Sequence, residues 1–107
     1  MPALKYDRYF WRERITPLYL VERSIPRAGE LTAGELRAIA QQSLRVQQEM
    51  GTQIQWIRSS VTENRMVGLY IAENEAIVRE HSRRSGLPIQ RISEVSAVIG
   101  PMMNDLS

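Results

Sequence analysis

The 107-residue chain contains no cysteine and a single histidine, His81. The absence of cysteine excludes disulfides and thiolate metal ligands, and it agrees with a cytoplasmic location, which we expect for this protein. The chain has no run of about 18 apolar residues, so no transmembrane segment is expected. The N-terminus carries basic residues but lacks the apolar segment of a signal peptide, which argues against secretion.

Little net charge remains once the N-terminal segment is set aside. Residues 1–16 carry four basic and two acidic residues, whereas residues 17–107 carry ten arginines and ten acidic residues. The excess of +2 therefore lies in the N-terminal segment, and the sequence pI of 9.4 overstates how basic the rest of the chain is. Because binding to phosphates requires a clustered positive surface, we expect no nucleic-acid partner.

Length and composition predict one globular domain. A hydrophobic content of 43% and a charged content of 24% are ordinary for such a domain. We assign the domain to residues 17–101, with an N-terminal arm at 1–16 and a C-terminal tail at 102–107. The arm is rich in aromatic and basic residues, and we expect it to pack on the domain or on a second subunit. A role for the arm in binding another protein or a membrane surface is the alternative.

Periodicity and capping signals predict six elements in the order β-α-β-β-α-β. Strands are expected over 17–23, 53–61, 65–72 and 89–99. One helix is expected after Thr32, which forms a capping-box pattern with Glu35, and it should end at Gly51. The other helix is expected between Asn74 as N-cap and Gly86.

This order predicts an α+β protein with a ferredoxin-like βαββαβ sandwich, in which two helices cover one face of a four-stranded antiparallel sheet. The other face is then left bare. The strands carry Trp56, Tyr70, Leu20 and Val98, which cannot all be solvated there. We therefore predict a homodimer with a dimeric α/β-barrel-type assembly.

The register of the predicted hairpin is left open by the sequence. A two-residue turn at 63–64 would place Trp56 near Ile71. A three-residue turn would place Arg58 near Tyr70. A slip of one residue exchanges the two faces of a strand, so the face that Trp56 occupies is not determined at this stage.

Two segments resemble a known family: "YLVERSIP" at 19–26 and "WIRSSVTENRMVGLYIAENEAIVREHSRRSGLPIQRISEV" at 56–95. The distinguishing features are "VER" before a proline, a hairpin with tryptophan, "REH" before Gly-x-Pro, and "RI-x-EV". The chain resembles a family of small bacterial ferredoxin-like proteins of formerly unknown function, of which one member was described as nickel-binding. The resemblance covers about 18–101 and implies a ferredoxin-like fold, dimerisation and divalent-metal binding.

The chain departs from this family's pattern in the third strand. Relatives commonly carry a cysteine in a C-x-Y pattern where this chain has Gly68, Leu69 and Tyr70. Any property of the relatives that depends on that thiol is therefore missing here. The relatives usually lack the arm, so the resemblance implies nothing about residues 1–16.

His81 lies on the second predicted helix and shares a face with Ile77. That face should turn toward the sheet, while Arg79 and Arg83 should point to solvent. One interpretation is structural: the imidazole fills the gap between helix and sheet and bonds to a strand group. The carbonyl groups at the end of the helix would then stabilise its protonated form.

Metal binding is the leading functional hypothesis, and most of its support is the resemblance. Ni²⁺ accepts nitrogen and oxygen ligands, so an imidazole with carboxylates suits it. The candidate ligands are His81, Glu22 and Glu94, because the first and last strands, which carry the two carboxylates, are neighbours in this fold. The sequence has no H-x-x-x-H or similar spacing, which makes the motif evidence weak.

A small-molecule pocket is the alternative hypothesis. Trp56, Tyr70 and His81 could line a pocket between sheet and helices, and similar folds host cofactor-free oxygenases, isomerases and cyclases. His81 would be the acid–base group of such an enzyme. The sequence offers no nucleophile–base pair, phosphate loop or carboxylate dyad, so enzymatic activity stays an open question.

Three arginines on predicted strands could bind an anionic substrate: Arg23, Arg58 and Arg91. They could equally pair with Glu22 or Glu94 across the sheet.

Overall fold

The structure is a computed structural model that describes residues 17–101. The predictions for the arm at 1–16 and the tail at 102–107 lie outside the described residues. The strands are β1 (Leu18–Ser24), β2 (Ile54–Val61), β3 (Arg65–Ala72) and β4 (Arg91–Glu94), and the helices are α1 (Ala33–Met50) and α2 (Glu75–Ser85). Short 3₁₀ turns cover Ala28–Glu30 and Gly51–Gln53. The predicted order of elements is confirmed.

Both helices begin with the predicted caps. The Thr32 hydroxyl accepts a hydrogen bond from the Glu35 N–H at 3.1 Å, and the Glu35 carboxylate accepts one from the Thr32 N–H at 2.8 Å. Asn74 caps α2 by accepting from the Ile77 N–H at 3.0 Å. After α2, Gly86 has a φ of 74°, a left-handed conformation that glycine adopts without steric cost. Among the described residues, no helix is long and apolar enough to cross a membrane.

The four strands form one antiparallel sheet in the order β2-β3-β1-β4. One apolar cluster joins the sheet to both helices. Its buried members are Tyr19, Val21, Val46, Met50, Ile54, Tyr70, Ala72 and Val78. Because alternate strand positions and both helices contribute to this cluster, the helices cover a single face of the sheet. The prediction of an α+β fold with a four-stranded antiparallel sheet and two helices is confirmed.

The β2–β3 hairpin follows two registers. Close to the turn it has the register of a two-residue turn, with Val61 paired with Met66. A bulge at Ile57 then shifts the ladder by one residue, and Trp56 pairs with Tyr70. Neither of the two registers considered from the sequence is therefore right along the whole hairpin.

Helix α1 supports the strand at this bulge. The backbone N–H of Trp56 donates to the side-chain oxygen of Gln47 at 2.9 Å, so a group of the helix satisfies this donor. The shifted register puts Trp56 on the same face as Tyr70, beneath the helices. The face of Trp56, left open by the sequence, is the covered one.

The opposite face of the sheet carries a different set of side chains from the one expected. Leu20 lies there as predicted, half-buried and paired with Leu69 of β3. Trp56 and Tyr70 instead lie on the helix-covered face, and Val98 follows the end of β4. These three residues therefore do not contribute to the bare face: the bulge turns Trp56 to the covered face, Tyr70 is part of the core, and β4 ends before Val98.

Strand β4 is shorter than the predicted 89–99. Strand β1 begins at Leu18, whose carbonyl oxygen accepts a hydrogen bond from the N–H of Val95 at 2.8 Å. Beyond this point β1 offers β4 no further partner, and the ladder ends. The alternation of apolar residues in the sequence continues beyond this point, so it did not reveal that β4 ends opposite the start of β1.

Candidate functional site at Tyr70 and His81

Arg23 is a buried cation on the helix-covered face of β1, with 0% of its surface exposed. Its Nη1 donates to the carbonyl oxygen of Pro88 at 3.0 Å, and its Nη2 donates to the hydroxyl of Tyr70 at 2.9 Å. Its guanidinium carbon lies 5.8 Å from the centre of the Tyr70 ring. Within residues 17–101 no carboxylate forms an ion pair with it. The two hydrogen bonds and the ring therefore offset part of the cost of burying this charge.

His81 is also fully buried, at 0% exposure, and lies against the Tyr70 ring with 5.4 Å between ring centres. Its Nε2 lies 3.0 Å from the carbonyl oxygen of Ser43 in α1. A carbonyl oxygen can only accept, so Nε2 carries the proton and donates, and Nδ1 of the neutral ring keeps a free lone pair. The expected bond from His81 to a strand group was wrong, because the partner is on the other helix.

The pKa of His81 lies below its ordinary value of 6.5. Burial is the largest cause, the bond to Ser43 acts in the opposite direction, and the charge of Arg23 lowers the pKa further. The protonated ring expected from its position near the end of α2 is not the favoured form, because removal from water outweighs the stabilising bond to Ser43. His81 is therefore neutral at neutral pH.

Four buried polar atoms close to the end of α2 have no hydrogen-bond partner among the described residues. They are Arg23 Nε, His81 Nδ1, Ser82 Oγ and Ser85 Oγ. Three of them belong to α2, and Arg23 reaches the segment just after that helix through Pro88. Buried polar groups are nearly always paired, so these four atoms are exceptions to that rule in an otherwise apolar core.

A cavity of about 210 Å³ lies between α1 and the β2–β3 hairpin. Two of the three predicted pocket residues, Trp56 and Tyr70, line it. His81 does not line it and instead contacts Tyr70 from the side of α2. The remaining wall is mostly apolar and comprises Leu36, Ile39, Ala40, Ser43, Ser59, Val61, Met66 and Leu87.

The three predicted metal ligands are not brought together within one chain. Glu22 is next to the buried Arg23 in β1 and therefore points to the opposite face of the sheet. Its Oε1 lies 3.6 Å from Arg65 Nη1. Glu94 is exposed near the end of β4 and pairs with Tyr19. Among residues 17–101 no group of three or more His, Asp or Glu side chains is arranged to hold a metal ion. The ligand set of His81, Glu22 and Glu94 stays a prediction.

Sequence reasoning did not identify Ser43, Ser59 and Gly68 as parts of this region. Arg23 was considered, but as a partner of Glu22 or Glu94 or of an anionic substrate. The signal for its burial was present: Arg23 continues the alternation of Tyr19 and Val21, which face the helices. Contacts across the fold, such as His81 with Ser43, carry no local pattern.

A family model described as "Nickel responsive protein SCO4226-like" matches residues 19–95. This range is well over half of the chain, and the chain therefore belongs to this family of nickel-responsive proteins. The resemblance drawn from the sequence is confirmed: this is a small bacterial family with a nickel-related member. A comparison with curated proteins finds no match.

The solved structure of SCO4226 from Streptomyces coelicolor A3(2) is similar to this chain, with a TM-score of 0.66 and 15% sequence identity. The similarity covers 77% of this chain and 99% of the other. At this identity the likeness supports the fold alone. It agrees with the α+β architecture described above.

Proposed function

We propose that this protein binds nickel reversibly, with His81 as its nitrogen ligand, and that it does so as a homodimer of ferredoxin-like subunits. The observation that carries this proposal is membership of the nickel-responsive family over residues 19–95. The strand order β2-β3-β1-β4 supports the ferredoxin-like arrangement.

The state of His81 supports its role as a ligand. A neutral imidazole with a free lone pair is the form that binds metals, and the lowered pKa reduces competition from protons. The ring is buried and Arg23 is close, so an ion can reach Nδ1 only after a local opening of α2 and against a like charge. Binding should therefore be weak and reversible.

Oxygen ligands would come from Glu94 or Glu22. Glu94 lies on the helix side of the sheet, whereas Glu22 lies on the opposite face, together with the half-buried Leu20 and Leu69. An apolar face of this kind suits burial against a second copy. Glu22 lies across the sheet from His81, so it would bind an ion at the subunit interface and would not complete the site at His81, whereas Glu94 would.

Titration of the full-length, tag-free chain with Ni²⁺ by calorimetry tests the proposal. A tag-free chain is needed because a polyhistidine tag binds nickel by itself. We expect His81→Gln to abolish binding at its site and Glu94→Gln to weaken it, whereas Glu22→Gln should reduce only binding at the subunit interface. Glu49→Gln, on the exposed side of α1, should leave binding unchanged. Absent binding, or equal binding by His81→Gln, would refute the role of His81. Sedimentation of the same samples reports the mass, and a monomer would refute the dimer.

Binding of a small molecule is a second candidate function, favoured by the cavity that Trp56 and Tyr70 line. Its volume is sufficient for a single-ring compound, since roughly 150 Å³ accommodates benzene, and the cavity is partly open to solvent, which gives a ligand direct access. Because His81 lies outside the wall, the cavity supports binding better than acid–base chemistry by His81. Native mass spectrometry of the purified chain would reveal a co-purified ligand.

A further inference from the structure

Two of the hydroxyl-bearing residues in the wall of the apolar cavity, Ser59 and Tyr70, place their hydroxyl groups over Gly68. A Cβ atom placed on Gly68 would lie 2.9 Å from Ser59 Oγ, 3.3 Å from the Tyr70 hydroxyl oxygen and 2.8 Å from an edge carbon of that ring. A side chain at this position would therefore displace them. The missing side chain at Gly68 is what lets both hydroxyl groups converge on one point.

Each hydroxyl already accepts a hydrogen bond from a group that can only donate. Trp56 Nε1 donates to Ser59 Oγ at 3.0 Å, and Arg23 Nη2 donates to the Tyr70 hydroxyl at 2.9 Å. Neither hydroxyl donates to an acceptor among residues 17–101. Both therefore keep their own protons available, and hydrogen bonds in a chain strengthen one another, so each is a better donor for a ligand.

The charge behind Tyr70 is positive and unbalanced. Arg23 is fully buried and has no carboxylate partner among the described residues. The cavity wall itself contains no acidic side chain. Arg23 does not line the cavity, but its charge polarises the Tyr70 hydroxyl that does, and this arrangement favours an anionic ligand over a neutral one.

From these contacts we infer that the cavity binds a small carboxylate with a single apolar ring, whose oxygens accept hydrogen bonds from Ser59 and Tyr70. The ring occupies the space between α1 and the hairpin. Arg23 acts through the Tyr70 hydroxyl as a positioning residue. This inference rests on the second candidate function, the small-molecule cavity, and is independent of nickel.

Three probes separate the contributions to binding. Benzoate has the ring and the charge, benzamide has the ring and a neutral acceptor, and toluene has the ring alone. Titrations of the full-length chain at neutral pH, followed by amide chemical shifts of residues along the cavity, give a dissociation constant for each. We expect benzoate to bind at least about tenfold more tightly than toluene, as one hydrogen bond to a charged group provides.

Variants then test the two donors. Ser59→Ala removes one donor with little change in volume. We expect it to weaken the binding of benzoate by about tenfold and the binding of toluene by less than about twofold. Ser60→Ala is the matched control, because Ser60 is exposed on the other face of the same strand. Tyr70→Phe should act like Ser59→Ala where it folds, and Gly68→Ala should displace both hydroxyl groups and weaken the binding of benzoate more than that of toluene.

The outcomes distinguish the assignment of a carboxylate ligand from the use of the cavity as a binding site. Equal binding of benzoate and toluene, or no effect of Ser59→Ala on benzoate, overturns the carboxylate assignment while leaving the cavity as a binding site. No binding of any probe overturns the small-molecule cavity as well. Benzoate could also change the amide chemical shifts only of residues away from the cavity. If Gly68→Ala leaves those changes unaltered, the assignment is overturned as well.

Discussion

Replacement of Tyr70 by phenylalanine tests the energetics of the buried Arg23. The change keeps the ring that lies 5.4 Å from His81 and removes only the hydroxyl that accepts from Arg23 Nη2 at 2.9 Å. The guanidinium would then have an unpaired donor in the interior in addition to Nε, which already has no partner. Hydrogen bonds to charged groups contribute about 1.5–3 kcal/mol, so we expect a loss of about 2–3 kcal/mol in the free energy of unfolding.

Urea denaturation and thermal melting measure this loss. For a domain of this size the expected loss corresponds to a decrease in Tm of about 10–20 °C. Tyr19→Phe is the matched control: Tyr19 is also buried on the helix-covered face, and its hydroxyl makes no hydrogen bond to a described residue. That control should change stability by less than about 0.5 kcal/mol.

A double-mutant cycle with Arg23→Met measures the interaction free energy between Arg23 and the Tyr70 hydroxyl. An apolar residue of similar length removes the buried charge, so Tyr70→Phe should cost much less in the Arg23→Met background than in the native chain. If Tyr70→Phe costs no more than Tyr19→Phe, or costs the same in both backgrounds, the hydrogen bond from Arg23 does not stabilise the fold as argued.

Two further predictions concern His81 and Thr32. The pKa of His81 is lowered on folding, so the unfolded chain binds the proton more readily, and the stability present above about pH 6.5 should be lost progressively as the pH falls below that value. Urea midpoints between pH 7.5 and 5 measure this slope. A slope of the same size in His81→Leu would contradict it, since this is the sole histidine. Thr32→Ala removes the hydroxyl cap of α1 and should lower the free energy of unfolding by about 1 kcal/mol, measured by thermal melting. Thr52→Ala, in the exposed turn after α1, is the control and should change it little. Equal effects of the two substitutions would contradict the capping role.

Local sequence signals predicted the order of the elements and the start of both helices. The capping box at Thr32 and the Asn74 cap each depend on side chains within four residues, so both can be predicted from the sequence. The bulge at Ile57 is different, because the group that satisfies the neighbouring Trp56 N–H is Gln47, on the preceding helix. A register that depends on such a contact cannot be predicted from the strand alone, which is why the face of Trp56 was left open.

The site was predictable only in part, for the same reason. Tyr70 and Trp56 were recognised as pocket residues, and both line the cavity. The burial of His81 followed from the helix periodicity, yet its partner Ser43 is 38 residues away and its neighbour Arg23 lies on another strand. The placement of Glu22 on the far side of the sheet did follow from alternation along β1, once Arg23 was known to face inward.

The bulge in β2 also affects how the molecule meets its neighbours in a concentrated solution. Strand β2 is one edge of the sheet, and a long regular edge would offer free amide and carbonyl groups to an identical strand from another molecule. The extra residue at Ile57 interrupts that row and increases the local twist. The other edge, β4, is only four residues long. Neither margin of the sheet is thus a good template for amyloid-like stacking, and this protects a chain whose strands are otherwise rich in β-branched and aromatic residues.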